Sequence, residues 1–286
     1  MKISRIGLTA NIYKEGISQA IKEVIASIPS GIELVCMEEL KGFGVEPRVG
    51  IAEGFAGCDV VIAIGGDGTL LRASRMVEES ETPLLGIKMQ SLGFLTEDDP
   101  KKAVSDLLEG RIIIQERMRL SISCETPEGD AQTFTALNDV VLHGVGVSRV
   151  LHLRTMVDGV TLGEYLSDGV IISTPTGSTA YSLAAGGPII NPVTMKAIIV
   201  TPLCPHSLSV RPVVVSDEET VVIDIVEEGQ ETMLTVDGQQ SCRIKPGDIV
   251  SVRKSERVTR LVTCADYEYY DLVRRKLRWG GVHRRN

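Results

Sequence analysis

Gly65-Gly66-Asp67-Gly68-Thr69 follows the continuous apolar run 60–64 and precedes a stretch, 69–77, with helical spacing of its apolar residues. Small residues let backbone N–H groups come close to anionic oxygens, and a helix starting here turns its positive end toward the same place. A carboxylate inside a pure phosphate cradle would repel its ligand. Asp67 is therefore read as a group acting on a hydroxyl, or on metal-bound phosphate. The plainer alternative is a strand–turn–helix connection that Asp67 caps. No GxxxxGK[ST] occurs in the chain, and the loop is not GxGxxG.

A second concentration begins at Ser167-Asp168-Gly169. After an apolar run at 170–172 come Ser173-Thr174-Pro175-Thr176-Gly177-Ser178-Thr179-Ala180-Tyr181-Ser182 and then Ala185-Gly186-Gly187-Pro188. Hydroxyls and accessible amides suit a polar ligand carrying phosphate or ribose, and Tyr181 offers a flat face to a heteroaromatic ring. A long loop held by Ser/Thr side-chain turns is the alternative. A third is Leu137-Asn138-Asp139: the Asn amide donates and accepts, and the Asp accepts from ribose hydroxyls or an amide. Alone, Asn-Asp before a strand reads first as a turn. Asp237-Gly238-Gln239 reads first as a hairpin turn and second as a ligand contact. His143, His152, His206 and His283 are not spaced as a metal cluster.

The elements that must position these residues change in kind along the chain. Apolar residues at Ile17, Ala20, Ile21, Val24, Ile25 and Ile28 recur at helical spacing. Short apolar runs at 3–9, 32–36, 60–64 and 84–87 alternate with such helices, a pattern that predicts a parallel sheet with helices on its faces. Beyond about residue 112 the apolar runs are strand-like, and Asp158-Gly159, Asp237-Gly238 and Pro246-Gly247-Asp248 punctuate them as turns. The expected organisation is an α/β, Rossmann-like domain over 1–116, completed by a returning segment 265–286, and an all-β sandwich domain over 117–264. Residues 267–279 read as a helix.

Composition narrows the partners. At 286 residues the chain holds one large domain or two medium ones, and 43% hydrophobic with 24% charged residues excludes wholesale disorder. One Trp, six Tyr and four Phe are few for a protein that grips single strands by stacking, and the net charge of −8 lacks a nucleic-acid footprint. Arg274-Arg275-Lys276, Arg278 and Arg284-Arg285 are read as a solvated helix end, with nucleic-acid binding as the rival. The N-terminus reads as a strand and the longest apolar runs are too short to span a bilayer, so a cytoplasmic protein without membrane contact is expected. Cys36, Cys58, Cys124, Cys204, Cys242 and Cys264 form no CxxC pair and are expected as buried, reduced thiols.

Gly65–Thr69, Asn138-Asp139, Asp168-Gly169 and the block Ser173 to Pro188, in this order and roughly this spacing, resemble the NAD kinases. Leu92-Gly93-Phe94-Leu95, Pro205-His206-Ser207-Leu208 and Arg211-Pro212 are similar to further blocks of that family, and the resemblance runs from about residue 3 to residue 270. GGDG is shared with lipid kinases and phosphofructokinases; the TPTGSTAY block is far more specific. The resemblance implies a phosphotransferase acting on an alcohol: Mg²⁺-dependent phosphorylation of the 2′-hydroxyl of the adenosine ribose of NAD by ATP or polyphosphate, giving NADP. The divalent cation would travel with the donor phosphates. It implies a homodimer or homotetramer, and Asp67 as the catalytic aspartate with Gly68 and Arg72 beside it. Asn138 and Asp139 would hold the dinucleotide, and Asp168 its nicotinamide part, often from a neighbouring subunit. Phe94, Thr179, Ala180, Tyr181, Ser182, Leu183 and Ala184 would line the pocket, with Arg149 and Gln239 as looser matches.

One stretch departs. Where the family usually reads G-I-N-x-G-x, this chain reads Gly86-Ile87-Lys88-Met89-Gln90-Ser91. Lys88 is expected either to face phosphates near Asp67, favouring polyphosphate, or to point to solvent. The rival enzyme is a lipid or sugar kinase sharing GGDG, and the rival from another class is a non-catalytic dinucleotide sensor.

Overall fold

A strand that is apolar on both faces must be covered on both, and the first elements are built to do so. The computed structural model describes residues 2–43, 55–89, 93–146, 150–226 and 231–280. In chain order come β1 (Arg5–Ala10), α1 (Ile17–Ala26), β2 (Glu33–Cys36), β3 (Val60–Gly65), α2 (Asp67–Met76), β4 (Leu84–Lys88) and α3 (Pro100–Leu108). All of β3 is buried. β1 pairs in parallel with β2 and β3, and β3 with β4. α1 lays Ile17, Ala20, Ile21 and Val24 into a core shared with Leu8, Ile62 and Ile64 of the sheet and with Val104 and Leu107 of α3. α3 opens on Asp99, whose carboxylate accepts the Lys101 and Lys102 N–H groups at 3.0 Å, and on Pro100 in the first turn.

The next strands are β5 (Ile112–Glu125), β6 (Ala131–Ala136), β7 (Asp139–Gly144), β8 (Leu151–Val157), β9 (Val160–Ser167) and β10 (Gly169–Ser173), then the short α4 (Tyr181–Ala184). They are followed by β11 (Ala197–Leu203), β12 (Val213–Ser216), β13 (Val221–Ile225), β14 (Thr232–Val236), β15 (Gln240–Ile244), the long β16 (Ile249–Cys264) and the last helix, α5 (Tyr269–Leu277). One antiparallel sheet runs β12-β11-β10-β7-β14-β15, and another runs β16-β13-β8-β9. Strand alternation puts Val140 and Leu142, Val170 and Ile172, Ile198 and Val200, and Leu234 and Val236 on the inner face of the first sheet. They meet Leu151 and Leu153, Val221 and Ile223, and Val250 and Val252 of the second, so period-two patterning closes a sandwich. The Asp158-Gly159 and Asp237-Gly238 turns both take positive φ at each residue, the geometry that two such residues permit between twisted strands.

Two compact units result: Met1–Glu116 with Thr259–Asn286, and Arg117–Val258. The return to the first unit falls at Thr259, six residues before the expected 265, because β16 is one unbroken strand whose first half pairs with β13 and whose Leu261 pairs with Leu84 of β4. α5 then buries Tyr269, Leu272 and Val273. The expected α/β domain and β-sandwich domain are both present.

Candidate active site

α2 begins two residues earlier than its apolar pattern suggests and takes Asp67 into its first turn. The cap is Gly66: its N–H reaches Thr69 Oγ1 at 3.5 Å, while its carbonyl accepts the Thr69 N–H at 2.9 Å. Asp67 is thus not the cap. Its carboxylate is held by another loop, where Oδ2 accepts the Phe94 N–H at 2.8 Å and Oδ1 accepts the Leu95 N–H at 3.2 Å and the Thr96 hydroxyl at 3.5 Å. A Cβ on Gly93 would lie 2.6 Å from Asp67 Oδ1, so only glycine lets the loop come this close. Burial pushes the Asp67 carboxyl above the ordinary 3.8, and the Phe94 and Leu95 amides, the Lys276 charge and the Thr96 hydroxyl pull back without cancelling it.

The other sequence-predicted residues of this unit sit close by in the chain but differ in their bonds. Gly68 is exposed beside Asp67. Arg72 Nη2 is 2.9 Å from Glu39. Phe94 contributes its amide to Asp67 and its half-buried ring to a hollow of about 400 Å³ between the 94–99 loop and α5. Lys88 does not point to solvent: its Nζ is 3.2 Å from Asp98 Oδ1. Nor is Lys276 a solvated helix end, since its side chain is almost wholly buried and bonds the same carboxylate. Gln90, Ser91, Leu92, His283, Arg284 and Arg285 lie outside the described residues.

The second unit carries a cavity of about 720 Å³ whose wall includes Asn138, Asp139, Asp168, Ala180, Tyr181 and Gly238. All six were singled out from sequence, and they share one hollow. The entry to β7, residues 137–139, is clasped from two sides. Asp237, at the β14–β15 hairpin, accepts the N–H groups of Leu137 (2.9 Å), Asn138 (2.8 Å) and Asp139 (3.1 Å). Thr174 donates its hydroxyl to Leu137 O at 2.6 Å and its N–H to Asn138 O at 2.9 Å. Gly177 packs against the Asn138 carbonyl, where a Cβ would stand 2.1 Å away. The clasp leaves Asn138 Oδ1 buried with no partner among the described residues. Asp139 is pushed up to about 7, first by burial and then by the Asp237 charge, with the Tyr181 N–H opposing both. Burial likewise lifts Asp237, against its three amide bonds and the Arg119 charge.

The hydroxyl-rich block is mostly internal. Thr174, Ser178 and Ser182 are fully buried; Ser178 bonds Pro175 O, and Ser182 bonds Thr201 Oγ1 at 2.9 Å. Their hydroxyls hold the loop, correcting the expectation that they offer themselves to a ligand. Tyr181, half exposed, remains open to one. Thr179, Leu183, Ala184 and Gln239 neighbour the cavity residues in sequence without forming its wall, and Arg149 lies outside the described residues. Cys204 corrects the buried-thiol expectation: it is exposed, at φ 46 just past β11, where the chain turns outward along the cavity.

With this geometry in place, the comparisons are specific. Residues 11–112 match the ATP-NAD kinase N-terminal domain and residues 137–264 the ATP-NAD kinase C-terminal domain. The NAD kinase of Moorella thermoacetica is 41% identical over 98% of this chain and 91% of its own length. The chain belongs to the NAD kinase family. The NAD kinase of Caldanaerobacter subterraneus subsp. tengcongensis is 35% identical over 96% of this chain and 99% of its own. The fold is shared with yeast NADH kinase complexed with NADH, at a TM-score of 0.87 and 23% identity over 100% of this chain and 90% of that one. It is shared too with an NAD kinase from Archaeoglobus fulgidus in complex with ATP, at 0.72 and 23% over 96% and 98%.

Family membership sets aside the lipid- and sugar-kinase reading of GGDG. Sequence reasoning about this NAD kinase family member missed Thr96, and it singled out Gly93, Asp237 and Lys276 without the contacts they make here. Asp237 was visible as a turn residue and, second, as a ligand contact, but not as a clasp, because its carboxylate acts about 100 positions away in the chain. Among the described residues no His, Cys, Asp or Glu group is arranged to hold a metal ion, and no helix is long and apolar enough to cross a membrane.

Proposed function

We propose that the protein transfers the terminal phosphoryl group of ATP or polyphosphate to the 2′-hydroxyl of the adenosine ribose of NAD, giving NADP. The observation that carries this reading is Asp67. Its carboxylate is fixed by two amides and a hydroxyl, stands in the first turn of α2, and is raised toward the range of a useful base. Asp67 orients the ribose hydroxyl and takes its proton as the oxygen bonds to phosphorus; the bond from phosphorus to the bridging oxygen breaks, and ADP or a shortened polyphosphate leaves. Phosphoryl transfer asks the protein chiefly for such positioning and for charge stabilisation. A divalent cation carried by the donor would supply neutralisation of phosphate charge; both Asp67 oxygens are already engaged by protein donors.

The dinucleotide occupies the cavity of the second unit. Asn138 Oδ1, buried and unpartnered, is an acceptor suited to an amino or hydroxyl group of the ligand. Tyr181 stacks on a ring, and Asp139 and Asp168 accept from hydroxyl or amide groups. The protein works in the cytoplasm as a homodimer or homotetramer, with Asp168 serving a neighbouring subunit's ligand.

The test is to incubate purified protein with Mg²⁺, ATP or polyphosphate, and NAD or NADH, and to assay NADP(H). Asp67→Asn should lower turnover by roughly 10²–10⁴-fold while NAD still binds. A mutant with wild-type turnover removes Asp67 from the chemistry. Binding of NAD with no product from any donor would mark the chain as a dinucleotide sensor.

A further inference from the structure

A lysine in the last turn of a surface helix can run its stem along the protein and keep its ammonium in water. Lys276, in the last turn of α5, does not: its side chain is 6% exposed, while that of Arg274 in the same turn is 66% exposed. Burying that charge is costly unless something inside holds it. Asp98 holds it. Its Oδ1 accepts the Lys276 ammonium at 3.0 Å and the Lys88 ammonium at 3.2 Å. Asp98 lies in the loop whose residues 94–96 bond the Asp67 carboxylate. Between the two, Glu97 donates its N–H to Gly86 O at 2.8 Å and accepts that of Lys88 at 2.9 Å, so the loop is laced to β4 up to Asp98.

The Lys276 charge also acts on Asp67, favouring the ionised carboxylate against the burial that dominates there. Other charges stand on the elements around Asp67. On α2, Arg72 pairs with Glu39, and Arg75 lies in the last turn. Lys88, at the end of β4, pairs with Asp98. In the loop, Glu97 turns to the Cys264 N–H at 3.3 Å and Asp99 caps α3. On α5, Arg274 pairs with Asp271. Lys88 shares Asp98 with Lys276 but is not among the charges that act on Asp67. Burial works against an ionised Asp98 as well, yet the Lys276 and Lys88 hydrogen bonds outweigh it and keep that carboxyl below its ordinary value. Asp67 lies above its own. The Lys276–Asp98 pair therefore outlasts the ionised Asp67 as pH falls, and the two titrations stay separate.

We propose that Lys276 is a positioning residue for Asp67: it pins the loop whose amides hold the carboxylate and brings to bear a positive charge that keeps it ready to accept the ribose proton. This rests on the reading of Asp67 as the base and names what tunes it. The last helix of the chain thus serves the chemistry without touching a reacting atom. Loss of the Lys276 charge leaves burial less opposed, so Asp67 stays protonated, and idle, up to a higher pH. Loss of Asp98 leaves that charge less compensated and acts with the opposite sign.

The test is kcat against pH, across the acid and neutral range with donor and NAD saturating, for the parent, Lys276→Met, Lys276→Arg, Lys88→Met, Asp98→Asn and Asp67→Asn. In Lys276→Met the acid limb should move to higher pH, a loss of roughly three- to ten-fold at the acid end that shrinks as pH rises. Lys276→Arg should restore the limb, since a guanidinium keeps the charge. Lys88→Met should leave the position of the limb unchanged, and Asp98→Asn should move it to lower pH. KM for NAD should stay unchanged in all four. A merely structural ion pair would lower kcat by one factor at every pH. That result in Lys276→Met, an equal shift in Lys88→Met, or no recovery in Lys276→Arg overturns the proposal. Should Lys276→Met fail to fold, Asp98→Asn decides, and a limb that does not move down overturns it. An Asp67→Asn variant with normal turnover would sink the reading of Asp67 itself; an inactive one beside an unmoved Lys276→Met limb sinks only the role of Lys276.

Discussion

At the residue scale the second unit stores a carboxylate pair. Asp139 and Asp237 are both buried and their charges repel, yet only Asp237 is compensated by three amides and by Arg119. Asp139 therefore gives way, its carboxyl pushed up to about 7 from an ordinary 3.8. Between those values the folded protein holds a proton that the unfolded chain has released, so this group's contribution to stability falls as pH rises through the window. Asp139→Asn, which keeps an acceptor for the Tyr181 N–H, removes that dependence. The variant's melting temperature should exceed the parent's above pH 7, and the gap should close as pH falls toward 4. A gap independent of pH across this range would show that Asp139 is not titrating there.

At the element scale, the loop after β4 acts as a clamp on α2. Its amides at 94 and 95 reach Asp67 only because Gly93 carries no side chain, the space for a Cβ being taken by Asp67 Oδ1 and Thr96 Oγ1, each at 2.6 Å. Gly93→Ala must push the loop or the carboxylate aside. The expected result is a loss of turnover by about 10²-fold, the scale of a misplacement of one reacting group, with NAD affinity retained because the cavity proposed for the dinucleotide is lined by residues of the other unit. Steady-state kinetics beside NAD titration checks this, and an unchanged kcat would show that the clamp does not position Asp67.

At the scale of the whole molecule, the chain's end is part of its beginning. α5 buries Tyr269, Leu272 and Val273 in the N-terminal unit and carries Lys276. Burial of a large apolar side chain contributes about 1.5–3 kcal/mol, so a chain ending at residue 266 gives up several such contributions at once. It should melt many degrees lower than the full chain and show no kinase activity. Differential scanning calorimetry and the NADP assay test this together, and a truncated chain with an unaltered melting profile would mean that α5 is dispensable.

Local patterns in the sequence were enough for most strands and helices, for the Asp158-Gly159 and Asp237-Gly238 turns, and for the two-part organisation, because periodicity and turn chemistry act over a few residues. They also sufficed to single out Asp67, Asn138, Asp139, Asp168 and Tyr181, whose types sit in short, unusual strings. What only the tertiary structure decided are relations between distant positions. Examples are Asp237 clasping residues 137–139, Gly93 making room for a carboxylate at 67, and Lys276 crossing the length of the chain to share Asp98 with Lys88. It also decided burial: Ser178 and Ser182 read as ligand hydroxyls in a string, yet they turn inward because the loop's own backbone carbonyls and Thr201 need donors away from water. Desolvation and like-charge proximity are properties of the folded surroundings, so the raised carboxyls of Asp67 and Asp139 exist only once those surroundings have closed around them.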